Sequence, residues 1–305
     1  MAAVKRISFG SLQAYEVTNE AGASVKVSLY GATIYSYSDS NGRERLFLSD
    51  KAVTDGSKPI RGGVPLVFPK FGDGQGKYPE LPSHGFARRS LWTFQGESKT
   101  GEASESAFLN PDGTVTFFIT LSSSPEILSN WNYPFKLTLK VTFGSVSLAT
   151  ELIVENTGTE TFEFQALLHT YYLLSSVETI GVQGLKGLTY IDQLQDGMKV
   201  LEDNEEVQIK RETDWIYTNA ASPVQISGVD NNSVKIDLQL KQGNDIRPVD
   251  AVLWNPWVEK SKRMSDFGDE EYHRMLCLEP GCVSRFEKCA PGQVWSLEQR
   301  ITFPL

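Results

Sequence analysis

The sequence predicts an all-β protein, a large β-sandwich with few short helices, on three observations. Apolar and polar residues alternate with period two in many segments, the pattern of strands buried on one face. Turn-forming residues punctuate these runs at Asn41-Gly42, Asp112-Gly113, Asn156-Thr157-Gly158 and over 228–232. A long stripe with the 3.6-residue helical period is missing, and strands do not alternate with helical stretches, which separates the pattern from a doubly wound parallel sheet.

Four runs carry the alternation most cleanly. Over 24–29, Val25, Val27 and Leu29 alternate with polar residues, and over 114–121 Val115, Phe117, Ile119 and Leu121 do the same. The runs 136–143 and 233–240 follow suit, with Leu137, Leu139, Val141 and Phe143 in the first and Val234, Ile236, Leu238 and Leu240 in the second. No repeat of fixed period and no linker rich in Ser, Gly or charge interrupts the chain, so residues 1–305 are expected to form one domain. The rhythm breaks over 59–85, where 11 of 27 residues are Gly or Pro and an apolar VPLVFP stretch suggests a packed loop. A long ordered loop of this kind is usually functional. A second irregular stretch, 254–260, carries Trp254 and Trp257 around Pro256; such rings can wall a small-ligand site or turn a core corner.

Composition narrows the function. The 305 residues include 40% hydrophobic and 22% charged, enough for a large core, and the net charge of −9 has the wrong sign for holding a phosphate backbone. Nucleic acid is therefore not an expected partner, nor is a membrane, since no run of about 18 apolar residues occurs. The opening MAAVKRISFG lacks a secretory apolar core and the strand pattern begins at once, so a cytoplasmic location is expected. Cys277, Cys282 and Cys289 are separated by four and six residues, not by the x2 spacing of zinc sites, and read as reduced core residues. His84, His169 and His273 include no i, i+4 pair, so a catalytic metal is not expected.

Several residues could do chemistry. Alternation over 162–172 puts Phe162, Phe164 and Leu168 on one face and Gln165, Leu167, His169 and Tyr171 on the other, so His169 points away from the phenylalanines. Glu279 follows the apolar 275–278 and precedes Pro280-Gly281, which places it at a strand-to-turn junction. From these segments alone, a structural histidine and a turn-accepting glutamate stay open as readings. Arg61 precedes Gly62-Gly63, where small residues would let a ligand approach, and Arg88 closes the Gly/Pro-rich segment. Two guanidinium forks at the ends of one ordered loop could converge on an anion, or could both be solvated. His84 could assist a ligand or brace the loop.

Taken together, 60–69 (IRGGVPLVFP), 84–88 (HGFAR), 168–171 (LHTY), 212–214 (ETD), 252–257 (VLWNPW) and 277–281 (CLEPG) resemble the hexose-6-phosphate mutarotase branch of the aldose 1-epimerase family. The resemblance implies a galactose-mutarotase-like sandwich in which a histidine and a glutamate face each other across a bound pyranose. By position, His169 matches the general acid and Glu279 the general base, Arg61 and Arg88 match phosphate-holding residues, and Asp214 matches a sugar-binding carboxylate. Ser83 replaces a residue that is commonly glutamine before the His84-Gly85 pair, and Arg89 replaces an asparagine often found after the matching arginine. Ser83 can thus lose one substrate contact or make it through water.

The chemistry suits these residue types. Anomer interconversion removes the C1 hydroxyl proton while the ring oxygen is protonated, then closes the aldehyde on its other face. At ordinary pKa values of about 4.3 and 6.5, an ionised Glu279 and a cationic His169 would supply the base and the acid. The resemblance implies a hexose 6-phosphate, glucose 6-phosphate first, as the partner of a monomeric protein, and a reaction without redox step or leaving group that needs no metal and no other cofactor. A neutral-sugar epimerase would keep His169 and Glu279 without needing the arginines, and for a non-catalytic sugar-phosphate-binding module the His169/Glu279 pair would be dispensable. A glycoside hydrolase fits less well, because it uses two carboxylates.

Overall fold

The computed structural model describes residues 2–95, 107–230 and 232–304. Among them, antiparallel strands build three sheets. The first, from Ala3–Phe9, Leu12–Thr18, Ser24–Ser28 and Ile34–Ser38, is a four-stranded meander. An eleven-stranded sheet is centred on Asn232–Gln242, Val294–Thr302, Ser147–Asn156, Phe135–Phe143 and Val115–Ser122. An eight-stranded sheet runs through Thr189–Asp192, Thr213–Ala220, Val249–Asn255, Met275–Cys289 and Phe162–Leu168. Strands were expected at all four of the clearest alternating runs and occur there.

Alternation decides which residues meet the main core. Leu276, Leu278 and Cys282 of Met275–Cys289, Ala251 and Leu253 of Val249–Asn255, and Trp215 and Tyr217 of Thr213–Ala220 all join it, with the buried Trp92, Trp131 and Trp295. Each large apolar side chain so buried contributes about 1.5–3 kcal/mol. The intervening residues Cys277, Val252, Trp254 and Ile216 face the other way. There they form a second apolar cluster with Phe47, Val67, Tyr171 and Phe267. The eight-stranded sheet thus has two covered faces, and it is the face away from the main core that carries the site.

Two local expectations need correction. Glu279 does not end a strand: Met275–Cys289 runs for 15 residues through Pro280 and Gly281. Pro280 lacks an N–H and costs a central ladder one donor. The neighbouring chain leaves the ladder at this point, between Leu168 and Tyr171, while Ala251 pairs with Pro280 on the other side. Residues 254–260 are not irregular either. Trp254 and Asn255 finish a strand, and Trp257–Arg263 is a short helix that starts after Pro256, with the Trp257 amide donating to Asn255 Oδ1 at 2.9 Å. Proline is tolerated at a helix start because the amide there has no helical partner.

Candidate active site

The site forms where the ladder between Phe162–Leu168 and Met275–Cys289 opens. Leu167 pairs with Gly281 and Tyr171 with Cys277, so the register is unbroken across the gap and sets His169 opposite Glu279. Behind this point Thr170 turns into the core and anchors the His169 segment: its hydroxyl donates to Gln299 Oε1 at 3.0 Å and Gln299 Nε2 donates back at 2.6 Å. The His169 amide donates to the Pro65 carbonyl at 3.0 Å, tying the histidine to the apolar part of the Gly/Pro-rich segment. On its other side Glu279 pairs with Val252, and Asp214 pairs with Trp254 one strand further on.

His169 Nδ1 lies 3.0 Å from Glu279 Oε1. The contact is close but not aligned as a hydrogen bond, since His169 Nδ1 and the second Glu279 oxygen, Oε2, are buried without hydrogen-bonding partners. The imidazole stacks on Tyr171 with centroids 4.7 Å apart and meets the edge of Trp254 at 5.9 Å. Glu279 is 1% exposed and His169 7%. Burial, reinforced by His84, Arg88 and Arg61, pushes the imidazole well below its ordinary pKa. Burial also pushes the Glu279 carboxyl well above its ordinary range; Asp214 adds to this while Arg88 opposes it. The directions are the reverse of those needed for the ionised pair expected from ordinary pKa values. Low polarizability around the site favours neutral imidazole beside a protonated carboxyl.

A cavity of about 310 Å³ opens above the pair, lined by Arg61, Ser83, His84, Arg88, Asp214 and Trp254 among others. Every residue expected to bind substrate therefore reaches the same cavity as His169 and Glu279. Arg61 is held firmly: Nη1 donates to the Tyr171 hydroxyl at 3.1 Å and Nη2 to Asp266 Oδ2 at 3.2 Å. Arg88 is freer, with Nη2 donating to the Ser83 carbonyl at 3.0 Å and Nε left without a partner. Burial lowers the Arg88 pKa to about 10, with Arg61 and Arg89 adding to the effect, and the group still carries its charge at neutral pH. Asp214 is pushed up to about 6, first by burial and then by Glu212 and Asp192, against the pull of Lys260.

Other expectations resolve differently. His84 braces the loop, its Nδ1 accepting from the Gly72 amide at 3.3 Å, and it also lines the cavity. Gly62 and Gly63 make room for backbone, not for a ligand. At a φ of 68°, a side chain on Gly63 would overlap the Ile34 carbonyl oxygen. Trp254 walls the cavity, whereas Trp257 packs on Tyr272 at 5.2 Å. Arg89 points into a separate hollow of about 800 Å³ lined by Glu80, Gln95 and Asn130, away from the histidine–glutamate pair.

Three contributors escaped the sequence reading. Asp266 sits in a polar run and gives no signal, Tyr171 falls on the His169 face without a role, and Cys277 lies beside Glu279 although it was assigned to the core. The ligand-capable atoms of His169, Cys277 and Glu279 all fall within 4.8 Å of one another. Spacing rules for metal sites miss such a group because its members meet across strands and not along one.

A β-sandwich with a buried histidine–glutamate contact at the floor of a polar cavity places the protein in the galactose-mutarotase-like class of folds. The comparisons agree: residues 13–302 match the family model described as "Aldose 1-epimerase", and the chain belongs to that family. A protein of Cenchrus ciliaris named "Putative glucose-6-phosphate 1-epimerase" is 33% identical over 273 residues, covering 88% of this chain and 78% of its own. An Escherichia coli K12 protein of the same name is 29% identical, covering 90% and 85%. Among solved structures, a "putative mutarotase" from Salmonella typhimurium superposes with a TM-score of 0.82 at 23% identity, over 98% of this chain and 92% of its own. The galactose 1-epimerase of Lactobacillus acidophilus gives 0.67 at 14%, over 100% and 99%. The expected galactose-mutarotase-like sandwich is thus found. Among the described residues, no helix is long and apolar enough to cross a membrane.

Proposed function

We propose that the protein interconverts the α and β anomers of a hexose 6-phosphate, glucose 6-phosphate first, with His169 and Glu279 exchanging protons with the sugar. The observation that carries this reading is the 3.0 Å approach of His169 to Glu279 at the floor of a cavity that also receives Arg61 and Arg88. The pair acts as a unit that shares one proton between its members. With the proton on His169, ring opening transfers it to the ring oxygen while Glu279 takes the C1 hydroxyl proton. The step ends with neutral imidazole and a protonated carboxyl, and closure on the other face of the aldehyde reverses it. The neutral form favoured by burial and the ionised form used to open the ring are therefore the two ends of one step. Neither end changes the total charge of the site.

Substrate contacts follow from the same geometry. A buried polar atom without a partner costs about 1–3 kcal/mol, so hydroxyl groups of a bound sugar offset the unmet demand of Glu279 Oε2. Asp214 accepts from further hydroxyls, and Trp254 supplies an apolar face. Arg88 lines the cavity with Nη2 engaged only on the Ser83 carbonyl, so its guanidinium is the one most readily given to a phosphate, with Arg61 presented beside it in a fixed orientation. Ser83 and His84 complete the rim.

A neutral-aldose reading is favoured by one observation: Arg61 already spends its donors on Asp266 and Tyr171. Anomer relaxation of freshly dissolved α-glucose 6-phosphate, followed by polarimetry beside α-glucose, separates the two. Acceleration confined to the phosphate ester supports the proposal. Equal acceleration of both sugars moves the reading to a neutral-aldose epimerase, and acceleration of neither by folded protein points to a binding module.

A further inference from the structure

We propose that His169, Cys277 and Glu279 also form a binding site for a soft divalent cation of the zinc type, and that a cation seated there blocks the acid/base pair. The blocking effect rests on the proposed roles of His169 and Glu279, whereas the binding does not.

Three independent features of the site point to it. The first is proximity, since one ligand atom from each residue lies within 4.8 Å of the other two. The second is the geometry of the closest pair. At bond lengths of about 2.0–2.1 Å to nitrogen and oxygen, atoms 3.0 Å apart subtend an angle of roughly 95° at a shared cation, inside the range of a distorted tetrahedron. The same approach is poorly aligned as a hydrogen bond, and Nδ1 is buried without a partner, so its lone pair is not already committed. The third is access: His169 and Glu279 line the cavity, so a cation reaches the group from that side, with the buried Cys277 behind the pair.

The donor set selects the cation. A sulfur, an imidazole nitrogen and a carboxylate oxygen suit zinc, cobalt or cadmium, and the sulfur disfavours magnesium and calcium. Cys277 is the specific member, because Cys282 and Cys289 pack into the main core on the other face of the sheet. Binding replaces the thiol and carboxyl protons, which leave to solvent, by one cation. The arginines oppose it, but Arg61 is already paired with Asp266 at 3.2 Å, and Asp214 stands on the favourable side.

The test is titration of the full chain with Co²⁺ alone, read as the near-ultraviolet thiolate-to-cobalt band, with the anomerisation rate followed in parallel and Zn²⁺ as a second inhibitor. A one-to-one band, absent from Cys277→Ser and suppressed by glucose 6-phosphate, establishes the site. In wild type the band should grow as activity is lost at least tenfold, and the activity of Cys277→Ser, whatever its level, should resist metal. A band in Cys277→Ser, or no band in wild type, overturns the proposal. Should Cys277→Ser fail to fold, the rise in the wild-type melting temperature with Co²⁺ and its reversal by chelator decide the question: no shift overturns it. A band at full anomerase activity keeps the site and sinks the acid/base roles.

Discussion

His169 stands directly across the opened ladder from Glu279, with Nδ1 3.0 Å from Oε1. The strand register on both sides of a two-residue break sets this separation, because the pairs Leu167–Gly281 and Tyr171–Cys277 flank it. Sites built on strands hold their geometry more tightly than sites built on loops. It follows that the pair is preorganised, and that its chemistry can be removed without moving its atoms.

Glu279→Gln makes that separation of roles. The amide resembles the protonated carboxyl that burial favours, so the fold should tolerate it and the melting temperature should stay close to wild type. Proton exchange is lost, and general acid/base catalysis is typically worth about 100- to 10,000-fold in rate. The expected outcome is a fall of that size in kcat with glucose 6-phosphate binding retained, measured by polarimetry and calorimetry. A rate near wild type would remove Glu279 from the chemistry.

Arg88→Ala should weaken binding of the phosphorylated sugar far more than that of its unphosphorylated counterpart. Any change it makes in the protonation of His169 and Glu279 would be common to both sugars. A hydrogen bond to a charged group contributes about 1.5–3 kcal/mol, so KM for the phosphorylated sugar should rise roughly 10- to 150-fold. Binding of unphosphorylated glucose should change little. Equal losses for the two sugars would place Arg88 outside the phosphate contact.

Asp266 touches neither partner of the acid/base pair, yet it orients Arg61 through contacts of 3.2 to 3.4 Å. Asp266→Asn keeps the shape and removes the charge that holds the guanidinium. The change should cost about 1–2 kcal/mol, a factor of roughly 5 to 30 in KM for the phosphate ester, with kcat preserved. A drop in kcat at unchanged KM would assign Asp266 to the chemical step instead.

Much of the fold was legible because alternation is a local signal. Val25, Phe117, Leu139 and Ile236 each sit in an expected strand, and each is buried in the main core. What the sequence could not carry was pairing over long separations. His169 and Glu279 are 110 positions apart, and their opposition depends on a register that no local pattern encodes. Pro280 misled for the opposite reason: proline is a strong local stop signal, but here tertiary pairing with Ala251 carries the strand through it. Gly63 was read as room for a ligand and turns out to admit backbone. Asp266 gave no signal at all, because a carboxylate in a polar run looks like surface until the arginine it holds is in place. The protonation of the pair was likewise invisible, since ordinary pKa values say nothing about burial.

The Gly63 contact predicts a stability effect distinct from function. Gly63→Ala forces a methyl group into the Ile34 carbonyl and imposes an L residue on a φ of 68°. Steric conflict with backbone cannot be relieved by a rotamer change, and losses above about 4 kcal/mol arise from a short list of such mechanisms. The expected result is a loss of roughly 3 kcal/mol or more in urea unfolding, or failure to accumulate folded protein. A change below about 1 kcal/mol would mean that the strand carrying Ile34 shifts freely.

Asp214 gives the reaction a pH signature that can be assigned. Its carboxyl is raised from the ordinary aspartate value to about 6 by burial, with Glu212 and Asp192 adding to the effect. A raised carboxyl pKa means that the charged form is lost at a higher pH than for a free aspartate. In the proposed role, ionised Asp214 accepts from sugar hydroxyls on both oxygens; below about pH 6 it is protonated and one of those acceptors becomes a donor. kcat/KM should therefore fall as the pH drops through about 6, reporting the free enzyme. The phosphate ester titrates in the same region, at about 6, so the comparison is with Asp214→Asn, in which substrate ionisation is unchanged. The profile of the variant should lie lower at neutral pH and lose the part of the inflection that belongs to Asp214. Superimposable profile shapes would show that the carboxylate does not meet the sugar.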